Sequence, residues 1–198
     1  MDLGLMQIAH VPGAVVAPAG ALEGFHANPR GRGGALEERK ARNLAYDAQN
    51  VQHPFTGLHF TEKGIDLLEQ YIHEVREVIG YEVPLAIDHV GHISLQDGIR
   101  LSRRIEKYVP AWLEDVIPWQ YTEQYRQLQE ATTVPICTGE DIYLKERFEP
   151  LLRSGGLSVI HPDLLTSGGI LETKKIGDLA QDHGVAMAIH MAESPIAA

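Results

Sequence analysis

The sequence lacks the features that would place it outside the cytoplasm or against nucleic acid. Its one cysteine, Cys137, excludes an internal disulfide and fits a reducing compartment. Cys137 lies within an apolar run, so a buried, inert thiol is the expected state. No run approaches the ~18 consecutive apolar residues of a membrane span. Met1-Asp2-Leu3-Gly4 has neither the basic opening nor the long apolar core of a secretory signal. These absences point to the cytoplasm and away from a membrane. Basic residues are also outnumbered, with 17 Lys and Arg against 27 Asp and Glu and a formal charge of −10. Phosphate binding needs a clustered basic surface, so this balance argues against a nucleic-acid partner.

What is present is a repeat of strand-like runs. Pro84-Leu85-Ala86-Ile87-Asp88, Ala111-Trp112-Leu113-Glu114, Val134 to Glu140, Ser158 to Asp163 and Ala186-Met187-Ala188-Ile189-His190 are each apolar and each end in an acid or a histidine. Their polar ends follow one another at steps of 23 to 27 residues, which is one strand, one helix and two short loops. Repeated strand–helix units with apolar strands imply an α/β fold with a parallel sheet covered by helices. In a closed barrel all the strand ends share one face, so the five polar groups would meet there. Any one of them has a bland alternative as a helix cap or a hydrogen-bonded strand-end histidine. Three carboxylates on successive strand ends nevertheless repel unless a cation lies between them. A hard divalent ion is expected, Mg²⁺ before Zn²⁺, because no cysteine or second histidine joins the cluster in this reading.

Between the strands, Ile65, Leu68, Ile72, Val75 and Ile79 predict a helix opened by Thr61 and stopped by Gly80. Ser94 and Asp97 resemble a capping box, and Gly98 weakens the helix that follows. Further helices are expected over Tyr121 to Glu130, over Ile142 to Leu152 before Gly155-Gly156, and through Leu171, Ile176 and Leu179 to His183-Gly184. Of the adjacent acids Glu114 and Asp115, strand alternation lets only one enter the barrel mouth; spacing selects Glu114 and leaves Asp115 to orient a neighbour or cap a loop. Gly139 is expected to let the backbone pass close to a neighbouring group, a ligand being one candidate. Ser167-Gly168-Gly169 is read as tight loop packing before an anion site.

Residues 1–60 differ. They are rich in Gly, Ala and Pro and show no sustained periodicity beyond a short helical possibility over Ala35 to Ala48. They read either as a disordered lead-in or as a long loop lying as a lid over the active face. His26, Arg30, Arg32, His53 and His59 are the polar groups such a lid offers.

Ala86-Ile87-Asp88, Trp112-Leu113-Glu114, Thr138-Gly139-Glu140-Asp141, His161-Pro162-Asp163-Leu164 with Ser167-Gly168-Gly169-Ile170, and Ala188-Ile189-His190 together resemble the barrel of the enolase superfamily, in its mandelate racemase-like branch. The resemblance covers residues 61–198 in order and spacing. It implies a partial TIM-type (β/α) barrel, with Asp88, Glu114 and Glu140 as Mg²⁺ ligands and Asp163–His190 as the catalytic pair. It implies abstraction of a proton α to a carboxylate, with a small-molecule sugar acid as the expected substrate and dehydration as the expected outcome. Racemisation of a hydroxy acid, or an inactive fragment acting as a binding module, are the alternatives. His89 and Glu193, with Ser194, are further candidates for substrate contact.

Two departures from the family pattern stand out. A complete barrel takes about 250 residues, so at 198 residues the chain reads as a fragment lacking the N-terminal capping domain and the last strand of a homo-oligomeric parent. If Met1 to Leu5 is the tail of the second barrel strand, the Lys-x-Lys pair usual there is absent, leaving His190 as the one defensible base.

Overall fold

The computed structural model describes residues 15–17, 44–46, 58–60, 62–88 and 93–191. From residue 62 onward helix and strand alternate, as the periodicity predicts. Three short strands, β1 (Val15–Ala17), β2 (Leu44–Tyr46) and β3 (Leu58–Phe60), come first. They are followed by α1 (Glu62–Ile79), β4 (Leu85–Ile87), α2 (Leu95–Ile105), β5 (Trp112–Glu114), α3 (Thr122–Glu130), β6 (Ile136–Thr138), α4 (Lys145–Ser154), β7 (Val159–Ile160), α5 (Ile170–Asp182) and β8 (Ala186–Met187). None of these helices is long and apolar enough to cross a membrane.

The main sheet has the order β1-β4-β5-β6-β7-β8, every pair parallel. From β4 onward each strand lies beside its predecessor, so successive right-handed crossovers bring every helix to the same face. This is the winding of a (β/α) barrel wall; a doubly wound sheet reverses its order midway. Leu85, Ile87, Leu113, Ile136 and Ile160 face the helices and form one large core with residues such as Ile65, Ile105, Leu128, Phe148 and Ile176. The opposite face carries a thin second layer of Ala86, Trp112, Cys137 and Ala188.

That division positions the site. Successive strand residues face opposite sides. Asp88 is two residues beyond Ala86, Glu114 two beyond Trp112 and His190 two beyond Ala188, so all three continue the inner layer. Glu140 lies three beyond Cys137 and is out of phase. Gly139 intervenes with φ +155°, and a Cβ built there would sit 2.8 Å from the backbone N and C of His161. Gly139 therefore lets the chain pass close to the backbone of β7's extension.

Local chemistry accounts for the helix ends. Gly80 adopts φ +69° and donates its N–H to the carbonyl of Arg76 at 2.8 Å, closing α1. Ser94 Oγ accepts the Asp97 N–H at 3.2 Å and donates to Asp97 Oδ2 at 3.1 Å. Asp97 Oδ2 also accepts from the Phe60 N–H at 3.3 Å, tying β3 to α2. Gly98 proves to be a packing requirement, since a Cβ there would meet Val116 Cγ1 at 2.7 Å. Ser167 is fully buried and shares a 2.7 Å hydrogen bond with Thr173, so the Ser-Gly-Gly turn is tight packing.

Several expectations need correction. Leu44–Tyr46, within the supposed helical stretch, is a strand paired antiparallel with Leu58–Phe60. The strand beside β4 is Val15–Ala17; Met1 to Leu5 lie outside the described residues, as do Thr61 and the lid candidates His26, Arg30, Arg32 and His53. Leu171 is largely exposed; α5 instead buries Thr173, Ile176 and Ala180, at spacings of three and four. α4 starts at Lys145, because Leu144 donates its N–H to the Ser167 carbonyl and takes φ +65°.

Candidate active site

The five strand-end groups meet on the inner face. Asp88, Glu114 and Glu140 each bring one carboxylate oxygen within 4.8 Å of the other two. Asp163 and His190 form an isolated parallel bridge beyond β7 and β8, with the His190 N–H donated to the Pro162 carbonyl at 3.1 Å. Asp115 turns the other way, as alternation predicts, and accepts a 2.6 Å hydrogen bond from the Thr138 hydroxyl. His89, Glu193 and Ser194 lie outside the described residues.

His190 joins the two groups of acids. Its Nδ1 lies 2.8 Å from Asp163 Oδ2, and its Nε2 makes an ion pair with Glu140 Oε2 at 3.0 Å, without the alignment of a hydrogen bond. Burial disfavours the charged ring, but the Glu140 and Asp163 carboxylates outweigh it and raise the His190 pKa to about 9. Asp163 is fixed from its other oxygen, which accepts the N–H groups of Leu165 at 2.7 Å and Thr166 at 3.1 Å. Burial would raise its pKa; the bonds from His190 and from these two amides hold it below the usual carboxylate value.

This arrangement predicts a pH dependence for the ion-free protein. The folded pKa of His190 is above its ordinary value near 6.5, so its stabilising contribution is complete below about pH 6.5 and is lost as pH rises through about 9. Urea midpoints measured with a chelator present are expected to fall across that window, and His190→Asn is expected to flatten the fall. A wild-type profile already flat there contradicts the ion pair.

Glu114 is the most buried of the three converging acids, at 1 % exposure. Its Oε2 accepts the Trp112 indole N–H at 2.8 Å, and its Oε1 contacts His161 Nδ1. Trp112 shares the inward phase with Glu114, and His161 shares it with Asp163. The acids stand out in the sequence as the evenly spaced ends of apolar runs; Trp112 and His161 lie inside those runs and have no such signal, although a period of two places them on the same face.

The expectation that no cysteine or second histidine stands by the carboxylates is corrected. Glu114, Cys137 and His161 also bring ligand atoms within 4.8 Å of one another. Strand register is the cause, since Glu114 pairs with Cys137 across β5 and β6, and Cys137 pairs with Val159, two residues before His161. Burial, followed by the Glu114, Asp115, Asp88 and Glu140 charges, pushes the Cys137 thiol well above its ordinary pKa. A sulfur ligand suits softer ions than the hard divalent ones that carboxylates favour, and His161 Nδ1 is already engaged by Glu114. The all-oxygen set of Asp88, Glu114 and Glu140 is the better cation site, and its donors fit a hard divalent ion.

A family model described as enolase C-terminal domain-like matches residues 39–198. The D-galactonate dehydratase of Ralstonia nicotianae (strain ATCC BAA-1114 / GMI1000) is 32% identical over 141 residues, covering 71% of this chain and 37% of that protein. The crystal structure of the 3,6-anhydro-D-galactonate cycloisomerase from Zobellia galactanivorans has 33% identity and a TM-score of 0.63, over 67% of this chain and 38% of that one. The L-talarate dehydratase from Polaromonas sp. JS666, crystallised with Mg and L-glucarate, has 27% identity and a TM-score of 0.62, over 65% and 36%. The chain thus spans well under half the length of these relatives. Since the family model spans every strand end from Asp88 to His190, the chain belongs to the enolase C-terminal domain-like family.

Proposed function

We propose that the chain carries the metal-binding and proton-transfer residues of a Mg²⁺-dependent hydro-lyase acting on a sugar acid. One observation carries the reading: three carboxylate oxygens converge within 4.8 Å, and the His190 nitrogen not held by Asp163 stands 3.0 Å from one of those carboxylates. The substrate class is supported by relatives named for D-galactonate, 3,6-anhydro-D-galactonate and L-talarate.

Asp88, Glu114 and Glu140 are the residues that would hold the ion. Bound there, it supplies positive charge for the substrate carboxylate, whose negative charge grows as the α-proton leaves. The chain's own residues handle that proton. Asp163 accepts the Nδ1–H of His190 and so fixes both the tautomer and the ring's direction, leaving the Nε2 lone pair towards the carboxylates. Were Glu140 engaged as a ligand, His190 would lose a partner that favours its protonated form, and Nε2 would serve as a base nearer neutral pH. Nε2 takes the α-proton, and the electron pair of the broken C–H bond moves towards the carboxylate. The β C–O bond then breaks as the same proton leaves with the hydroxyl as water. One water is lost, His190 is restored, and the resulting enol tautomerises to a 2-keto acid.

The test is incubation of the full-length protein with Mg²⁺ and a panel of aldonic and aldaric acids in D₂O. Formation of a 2-keto acid from at least one of them is expected. Exchange of the α-proton for deuterium with inversion, and no loss of water, replaces the dehydratase with a racemase. No turnover by the ion-loaded protein leaves the binding-module alternative.

A further inference from the structure

We propose that His161 is a positioning residue for the metal site: it clamps Glu114 from one side while Trp112 clamps it from the other. The inference rests on the metal reading above.

Glu114 stands apart from the other two acids. Asp88 is partly exposed and the Glu140 side chain is 19% exposed, whereas the Glu114 side chain is 2% exposed. Water can orient a carboxylate at the rim but not one at that depth, so the protein itself must supply the donors. It does so once per oxygen, with His161 Nδ1 at Oε1 and the Trp112 indole N–H at Oε2. A carboxylate offers about four lone-pair sites, so two donors fix its plane and leave a lone pair on each oxygen for an ion.

A carboxylate only accepts, so the contact places the His161 proton on Nδ1. The ring is held by packing as well. It stands edge-on to Trp112, with centroids 6.1 Å apart, and edge-on to His190 at 5.3 Å. Its Nε2 is buried with no hydrogen-bond partner among the described residues. Among the described residues, the polar contact that orients the ring is therefore the one to Glu114. The position follows from strand register: His161 is two residues beyond Val159, across from the Cys137 that pairs with Glu114.

Binding of Mn²⁺ to the intact chain, read from the loss of the free-ion EPR signal, tests the clamp without an assay of turnover. Three substitutions separate the ring's roles. His161→Leu removes the donor. His161→Asn returns an N–H near the position of Nδ1, and His161→Gln returns one near Nε2. Leu is expected to weaken Mn²⁺ binding by about 10- to 100-fold, Asn to restore it to within about threefold of wild type, and Gln to give no rescue. Trp112→Phe, which keeps most of the ring and deletes the second donor, is expected to weaken binding in the same range and serves if a His161 variant does not fold. Wild-type binding with His161→Leu unaffected, or a folded Asn variant no better than Leu, overturns the clamp alone. A wild-type chain that binds no Mn²⁺ overturns the metal reading and the clamp with it.

Discussion

His190→Asn is expected to slow the proposed dehydration by about 10²- to 10⁴-fold, the usual worth of a positioned acid–base group, while leaving the fold and the proposed ion site in place. The choice of asparagine follows from the two sides of the ring. Its amide can still donate to Asp163 Oδ2 from near the position of Nδ1, 2.8 Å away in the wild type, but it has nothing at the position of Nε2, the atom that faces Glu140. Asp163 keeps its Leu165 and Thr166 amides, so the strand ends remain tied. Removal of the imidazolium also removes a cation that competes for Glu140, so Mn²⁺ binding is expected to hold or tighten. Loss of rate with ion binding kept separates a chemical role from a structural one. A variant that dehydrates at the wild-type rate ends the assignment of His190.

The second large effect concerns stability and lies far from the site. Arg76→Met is expected to destabilise the fold by about 2 to 4 kcal/mol, because several buried carbonyls lose a charged donor at once. Arg76 sits on the buried stripe of α1 one turn beyond Ile72, and at 3% exposure it is a charged residue in an apolar position. Its guanidinium donates to main-chain carbonyls on both sides of the first strand–helix–strand unit. Nε–H reaches Tyr108 O at 2.7 Å, Nη1 reaches Gly80 O at 3.0 Å and Val83 O at 2.7 Å, and Nη2 reaches Val109 O at 2.7 Å. Tyr81 lies under the guanidinium, 4.9 Å from the ring centroid. The end of α1, the approach to β4 and the turn before β5 therefore share one planar fork, and a methionine would leave their carbonyls without that donor. Lysine would not substitute, because a point charge cannot span the fork. Urea denaturation measures the effect as a lower midpoint at unchanged slope. A loss below about 1 kcal/mol would mean that water replaces the fork at little cost.

The site was legible where its logic is local. Asp88, Glu114 and His190 each stand two residues beyond a small or aromatic inner-layer residue, and a period of two can be counted along one strand. Alternation allows only one of Glu114 and Asp115 to face inward and the even spacing of the strand ends selects Glu114; the Thr138–Asp115 bond agrees with that choice. Gly98 was misjudged because its value lies in Val116, a residue from another element. His161 appeared in the recognised motif without a role, because its partner Glu114 is 47 positions away. β1 to β3 were missed because runs of three residues are too short for any period to show.

By itself the sequence determined the alternation of helix and strand after residue 62 and the inward phase of most strand ends, because both are set by neighbours within one element. Only the tertiary structure decided that Val15–Ala17 lies beside β4. It alone set Glu114 between Trp112 and His161, and Gly139 against the backbone of His161. These depend on register between strands separated by a helix, and that register comes from hydrogen bonds and packing across the sheet, which leave no local pattern to read.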